Sequence, residues 1–182
     1  MFCKYLLLLL CLFSASSWAQ PGAPGTANQL AEMKKLDFLL GSWKGSGYFE
    51  FGPGKRKTFT ETENIQKKLG GLVLFIEGEG LAGGEKPTPI HSALALVSYD
   101  EQSKNFKWYA YRAGSGALDT TAKVGDNTLE WGFADPHAGN IRFVIKLNEK
   151  GQWFETGEAS RDGATWQKFF EMTLDRVAPE SK

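Results

Sequence analysis

Glu61 and Glu63 stand two residues apart in Phe59-Thr60-Glu61-Thr62-Glu63-Asn64-Ile65, a segment with the alternation of a β-strand. Period two places both carboxylates on one face with Phe59 and Ile65. If that face is internal, Glu61 enters a cavity, where it can act as a general base or bind an amine. If Thr58, Thr60 and Thr62 face inward instead, Glu61 is an ordinary surface group. Unpaired buried carboxylates are rare, so a surface or rim position is the expected one. Trp108 and Arg112 share a face of a second such segment, residues 105–112, and Arg112 ends it beside Ala113-Gly114-Ser115-Gly116. An arginine at the mouth of a cavity binds a carboxylate or phosphate head group. The competing reading is a solvated strand end.

Other chemistry finds less support. The two histidines are His91 and His137, the latter in the turn-like Asp135-Pro136-His137-Ala138-Gly139. A zinc site takes three or four protein ligands, so two separated histidines predict no metal site. Gly78-Glu79-Gly80-Leu81-Ala82-Gly83 fits the spacing of a dinucleotide-binding turn. The residues after it, Gly84-Glu85-Lys86-Pro87-Thr88-Pro89, cannot open a helix, and a flexible loop is expected there. There is no Gly-x-Ser-x-Gly elbow. Both cysteines, Cys3 and Cys11, lie in the first residues of the chain. No catalytic residue is assigned.

That N-terminal segment reads as a signal peptide. Lys4 is the only charge before Glu32, residues 6–13 are an unbroken apolar run, and Ser17 and Ala19 supply the small residues needed for cleavage before Gln20. The run is shorter than the ~20 residues of a membrane span. Cleavage removes 19 of 182 residues and both cysteines, leaving no disulfide and no thiol. The localisation expected is exported, periplasmic or secreted. With 21 basic and 21 acidic residues in the whole chain, nothing attracts nucleic acid or an anionic membrane.

The elements that must position these groups follow from the periodicity. Residues 20–35 are a flexible lead and the start of a short helix. The helix, over 28–40, is marked by Leu30, Met33, Leu36, Leu39 and Leu40, with Asn28 as its cap and Gly41 as its end. From Ser42 the period is two, and about ten strands separated by turn residues run to the end of a single domain over 36–178. Three faces are consistently apolar: Phe106/Trp108/Ala110, Leu129/Trp131/Phe133 and Ile141/Phe143/Ile145. They are placed inward, and by the same parity Arg112 points inward at its strand end. Sequential hairpins with no helix between them predict an all-β antiparallel meander, closed as a barrel or stacked as two sheets.

Gly41-Ser42-Trp43, followed by Gly45 and Gly47, resembles the Gly-x-Trp opening of the first strand in lipocalins and nitrobindin-like proteins. Together with Gly70-Gly71-Leu72-Val73-Leu74 and Tyr99-Asp100 leading to Phe106, the pattern looks most like an uncharacterised bacterial family of exported calycin-like β-barrel proteins. The resemblance runs from Leu36 to about Val177. It implies a calycin-like barrel with the short helix across one end. In nitrobindin-like proteins a histidine near the C-terminal strands holds haem. Residues 166–177 contain none, so neither haem nor any other cofactor is expected.

The function expected is the binding of a small hydrophobic or amphipathic molecule in an apolar barrel cavity, through Trp108, Arg112, Trp131, Phe143 and Glu61. The alternatives are an enzyme using acid–base chemistry in that cavity, and an envelope protein whose filled barrel acts through its surface. Oligomeric state is left open.

Overall fold

The computed structural model describes residues 26–178 apart from 51, 53, 84 and 85. The expected signal peptide, 1–19, and the start of the lead lie outside the described residues. A helix α1 (Thr26–Lys34) and a 3-10 turn (Asp37–Leu39) precede ten strands: β1 (Gly41–Glu50), β2 (Arg56–Lys68), β3 (Val73–Ala82), β4 (Thr88–Asp100), β5 (Asn105–Arg112), β6 (Gly116–Gly125), β7 (Thr128–Asp135), β8 (Gly139–Leu147), β9 (Trp153–Ser160) and β10 (Gln167–Val177). Each strand pairs antiparallel with its neighbours in sequence, and β1 pairs with β10, so the sheet closes as a barrel. Closure leaves no strand edge unpaired. The all-β meander expected from the sequence is the observed fold.

The helix differs from the expectation at both ends. It stops at Lys34, and the chain tightens into i→i−3 bonds, Leu36 N–H to Met33 O (3.2 Å) and Leu39 N–H to Leu36 O (3.1 Å). This turns the chain so that the Trp43 indole donates to the Leu39 carbonyl (2.8 Å). Asn28 lies within the helix rather than at its cap, and its amide donates to the Glu101 carboxylate (2.9 and 3.0 Å). Gly41 opens β1 rather than ending a helix. Its φ of +114° lets the chain turn from plug to strand in a conformation that side chains disfavour.

Met33, Leu36 and Leu39 are fully buried and plug one end of the barrel. Beneath them Trp43 and Trp153 meet edge to face, ring centroids 5.8 Å apart, among the buried Leu74, Val97, Leu129 and Leu174. Arg176 clasps the plug: its guanidinium lies 4.1 Å over the Trp43 ring and donates to the carbonyls of Phe38 (3.0 Å) and Leu40. At the opposite end the inward residues Ala110, Leu118 and Phe133 are only half-buried. The barrel is therefore closed at the plug and less covered at the other end, where β4 begins and β5 finishes.

Strand β1 presses closely on β10. Gly45 is the register partner of Leu174, and a β-carbon on it would run into the Thr173 carbonyl oxygen. Only a residue without a side chain permits that approach. On β10 a bulge between Lys168 and Phe170 brings Phe169 and Phe170 both against Phe143, at 5.8 and 5.7 Å.

Candidate functional site

Parity decides what enters the barrel. On β2 the buried residues are Phe59, Glu61 and Ile65, alternating with exposed neighbours. Glu61 is therefore not a surface or rim group, as expected from the sequence: it is 4 % exposed. Burial of Phe59 and Ile65 on the same face carries both glutamates inward with them. Across β3 the register sets Gly80 opposite Glu61 and Gly78 opposite Glu63. Across β4 it sets His91 opposite Gly80. The two glycines leave the wall between β2 and β4 clear. A β-carbon at Gly78 would lie 2.5 Å from Glu63 Oε1, and one at Gly80 would overlap Glu61 Oε2. Gly78 and Gly80 thus belong to a strand that makes room for carboxylates.

His91 Nε2 approaches Glu61 Oε1 at 3.9 Å. Glu61 Oε1 and Glu63 Oε2 are closed off from solvent without a hydrogen-bond partner. A third carboxylate, Glu155 on β9, is buried at 6 % exposure and accepts a hydrogen bond from the Trp153 indole (3.0 Å). Burial pushes the carboxyls of Glu61 and Glu155 up to about 8, and the negative charge of Glu155 adds to the rise at Glu61. Burial also holds Glu63 well above the usual range, reinforced by Glu61 and Glu155. His91 is shifted the other way, first by burial and then by the positive charge of Arg112.

The aromatic residues expected to line the cavity form one stack. Trp108 and Trp131 lie with centroids 4.7 Å apart and planes 9° from parallel, and Trp131 and Phe143 follow at 4.6 Å and 17°. Trp108 is buried, Trp131 and Phe143 half-buried. Neither Trp108 Nε1 nor Trp131 Nε1 has an acceptor in the protein, although both atoms are shielded from solvent. Arg112 is exposed at the end of β5, where its guanidinium reaches the Ile90 carbonyl (3.5 Å). It also borders a cleft of about 400 Å³ on the outer face with Glu77, Glu79, Leu94 and Tyr111.

Of the five residues singled out from sequence, three form one stack with Trp131 in the middle, Glu61 lies on the inner wall, and Arg112 stands at the less covered end near His91. Glu63 and His91 enter the same cluster as Glu61. Glu155 was not singled out at all, though Trp153, Glu155 and Gly157 share a parity that could have placed it. His137 sits in an exposed turn, its backbone N–H donating to Asp135 Oδ1 (2.8 Å).

A family model described as "Protein of unknown function (DUF1579)" matches residues 28–176. The chain belongs to the DUF1579 family. Among solved structures it is similar to the crystal structure of Rv2717c from M. tuberculosis, at 16 % identity and a TM-score of 0.59, over 80 % of this chain and 97 % of that one. That likeness concerns the fold alone. No curated protein matches the DUF1579 chain. Among the described residues no helix is long and apolar enough to cross a membrane.

Proposed function

We propose that this protein is an exported, calycin-like small-molecule-binding barrel whose ligand is hydrophobic or amphipathic and enters at the end opposite the plug. The observation that carries the reading is the pair of unpartnered indole N–H groups on a stacked aromatic wall. Buried donors are nearly always satisfied, and an orphaned one costs about 1–3 kcal/mol. A ligand with an apolar body and an acceptor group offsets that cost by covering Trp131 and Phe143 and accepting from the indoles. Apolar contact contributes roughly 25 cal/mol per Å² removed from water. Arg112 is the cation available at the entry for an anionic head. The calycin kinship rests on Gly41-Ser42-Trp43, which opens β1 directly beneath the helical plug. Export rests on the order of charge, apolar run and small residues over 1–19. A titration with a long-chain fatty acid, its methyl ester and its primary amine, followed by tryptophan fluorescence, tests the reading. A saturable change with at least one of the three is expected, and Arg112→Ala should weaken the acid selectively. No saturable change with any of them sinks the proposal.

A second reading, acid–base catalysis in the same barrel, draws on Glu61 and His91. Burial moves the Glu61 carboxyl up to about 8, so it keeps its proton at neutral pH, and moves the His91 imidazole down, so it stays uncharged there; a proton donor and an acceptor then face each other. It requires turnover that Glu61→Gln abolishes.

A further inference from the structure

The inner wall between β2 and β4 has a construction that ligand binding on the aromatic stack does not explain. Three donors from two strands converge over a glycine-cleared strip of β3. Glu61 Oε1 and His91 Nε2 are 3.9 Å apart, and one donor atom from each of Glu61, Glu63 and His91 lies within 4.8 Å of the others. Glu61 is more than nine-tenths buried, and its Oε1 is aimed at this space with no partner. Glu63 Oε2 is equally unpartnered.

We propose that Glu61, Glu63 and His91 bind a divalent metal ion inside the barrel. Two carboxylates and one imidazole are a donor set for a borderline transition ion such as zinc. Donors at roughly 2.0–2.2 Å from one ion lie at most about 4.4 Å from each other. The Glu61–His91 separation already meets that limit, and a small rotation of a glutamate closes the rest. The ion neutralises paired buried charges that otherwise repel, and it satisfies both orphaned oxygens at once. Three protein donors leave a coordination position free, as in zinc sites that act on a further molecule. Gly78 and Gly80 are part of the site because a side chain at either would occupy the space of the carboxylates. The site uses the β2–β4 wall and stands or falls separately from the ligand reading on the Trp131 stack.

Metal-stripped protein titrated with Zn²⁺ by calorimetry, and with Co²⁺ by visible absorption, is expected to bind one ion per chain. Loss of even an outer partner of a ligand typically costs 10–100-fold in affinity, so Glu61→Gln and His91→Gln should each cost about tenfold or more. His137→Gln should leave binding unchanged. Gly80→Ala removes no donor, yet it should weaken binding by displacing the Glu61 carboxylate. Near-UV circular dichroism confirms that each variant is folded, and the more exposed His91 supplies the decisive variant if Glu61→Gln is not. Absence of stoichiometric binding of both ions to the folded protein overturns the proposal. So does binding that persists unchanged in His91→Gln.

Discussion

A β-carbon added to Gly45 would sit 2.8 Å from the Leu174 Cα, backbone against backbone across the β1–β10 pairing. Neither partner can rotate away, because both are main chain. Gly45→Ala is therefore expected to separate the two strands locally. Overpacking typically costs about 1–3 kcal/mol, and a rigid clash belongs at or above the top of that range. Thermal unfolding measures it. A melting temperature within a degree of the unsubstituted protein would show that the strands are not so closely apposed.

Stability of the metal-free protein should fall as pH rises from about 4.5 to about 8. Glu61 and Glu155 keep their protons to about 8 in the folded chain, whereas the unfolded chain releases them near the usual 4.5. Across that window the unfolded state binds fewer protons, so alkali favours unfolding. Glu63, also raised by burial, adds to the fall in the same direction. His91 acts oppositely: its lowered folded pKa withdraws stability as pH falls below about 6.5. The clean test lies between pH 6.5 and 8.5, where only the carboxyls contribute. Melting temperature should drop there, and Glu155→Gln should flatten the drop. An equal slope in the variant would mean that Glu155 ionises normally.

Arg176→Ala should loosen the plug without opening the barrel. The guanidinium holds two carbonyls that the 3-10 turn leaves over, Phe38 and Leu40, and covers the Trp43 ring. Loss of a hydrogen-bonded, stacked arginine on a partly exposed surface is expected to cost about 1–2 kcal/mol. Hydrogen exchange should accelerate in residues 36–40 and not in β5–β8. Uniform acceleration would show that the plug and the barrel open together.

The exported form should begin at Gln20 or within a few residues of it. N-terminal sequencing of protein from the envelope or medium checks this. Retention of Met1 there would overturn the localisation.

The strands were legible because aromatic and β-branched residues alternate with polar ones. Leu129/Trp131/Phe133 and Ile141/Phe143/Ile145 announce their inner face by composition alone. The end of the helix was not. Leu36, Leu39 and Leu40 keep a helical spacing past Lys34, while the 3-10 turn is held by the Trp43 indole just beyond it and by Arg176, which lies far along the chain. The meeting of Glu61 with His91 was equally hidden, since it depends on pairing across three strands with Gly80 between them. Composition argued for an exposed Glu61, because a lone buried carboxylate is unfavourable. It could not show that Phe59 and Ile65 would draw it inside, nor that β3 would leave space for it.

Nine of the ten strand pairings join consecutive strands; the pairing of β1 with β10, which places Trp43 beside Arg176, is the exception. A hairpin ladder can zip from neighbour to neighbour at small entropic cost, but this seam must bring the two ends of the sheet together. Trp43, buried beneath the plug, thus waits for nearly the last residues of the domain. A chain emerging N-terminus first, from a ribosome or through a translocation channel, remains an open curl with an unpaired β1 edge until β10 has followed. During that interval the β1 edge is the part of the molecule most exposed to wrong partners.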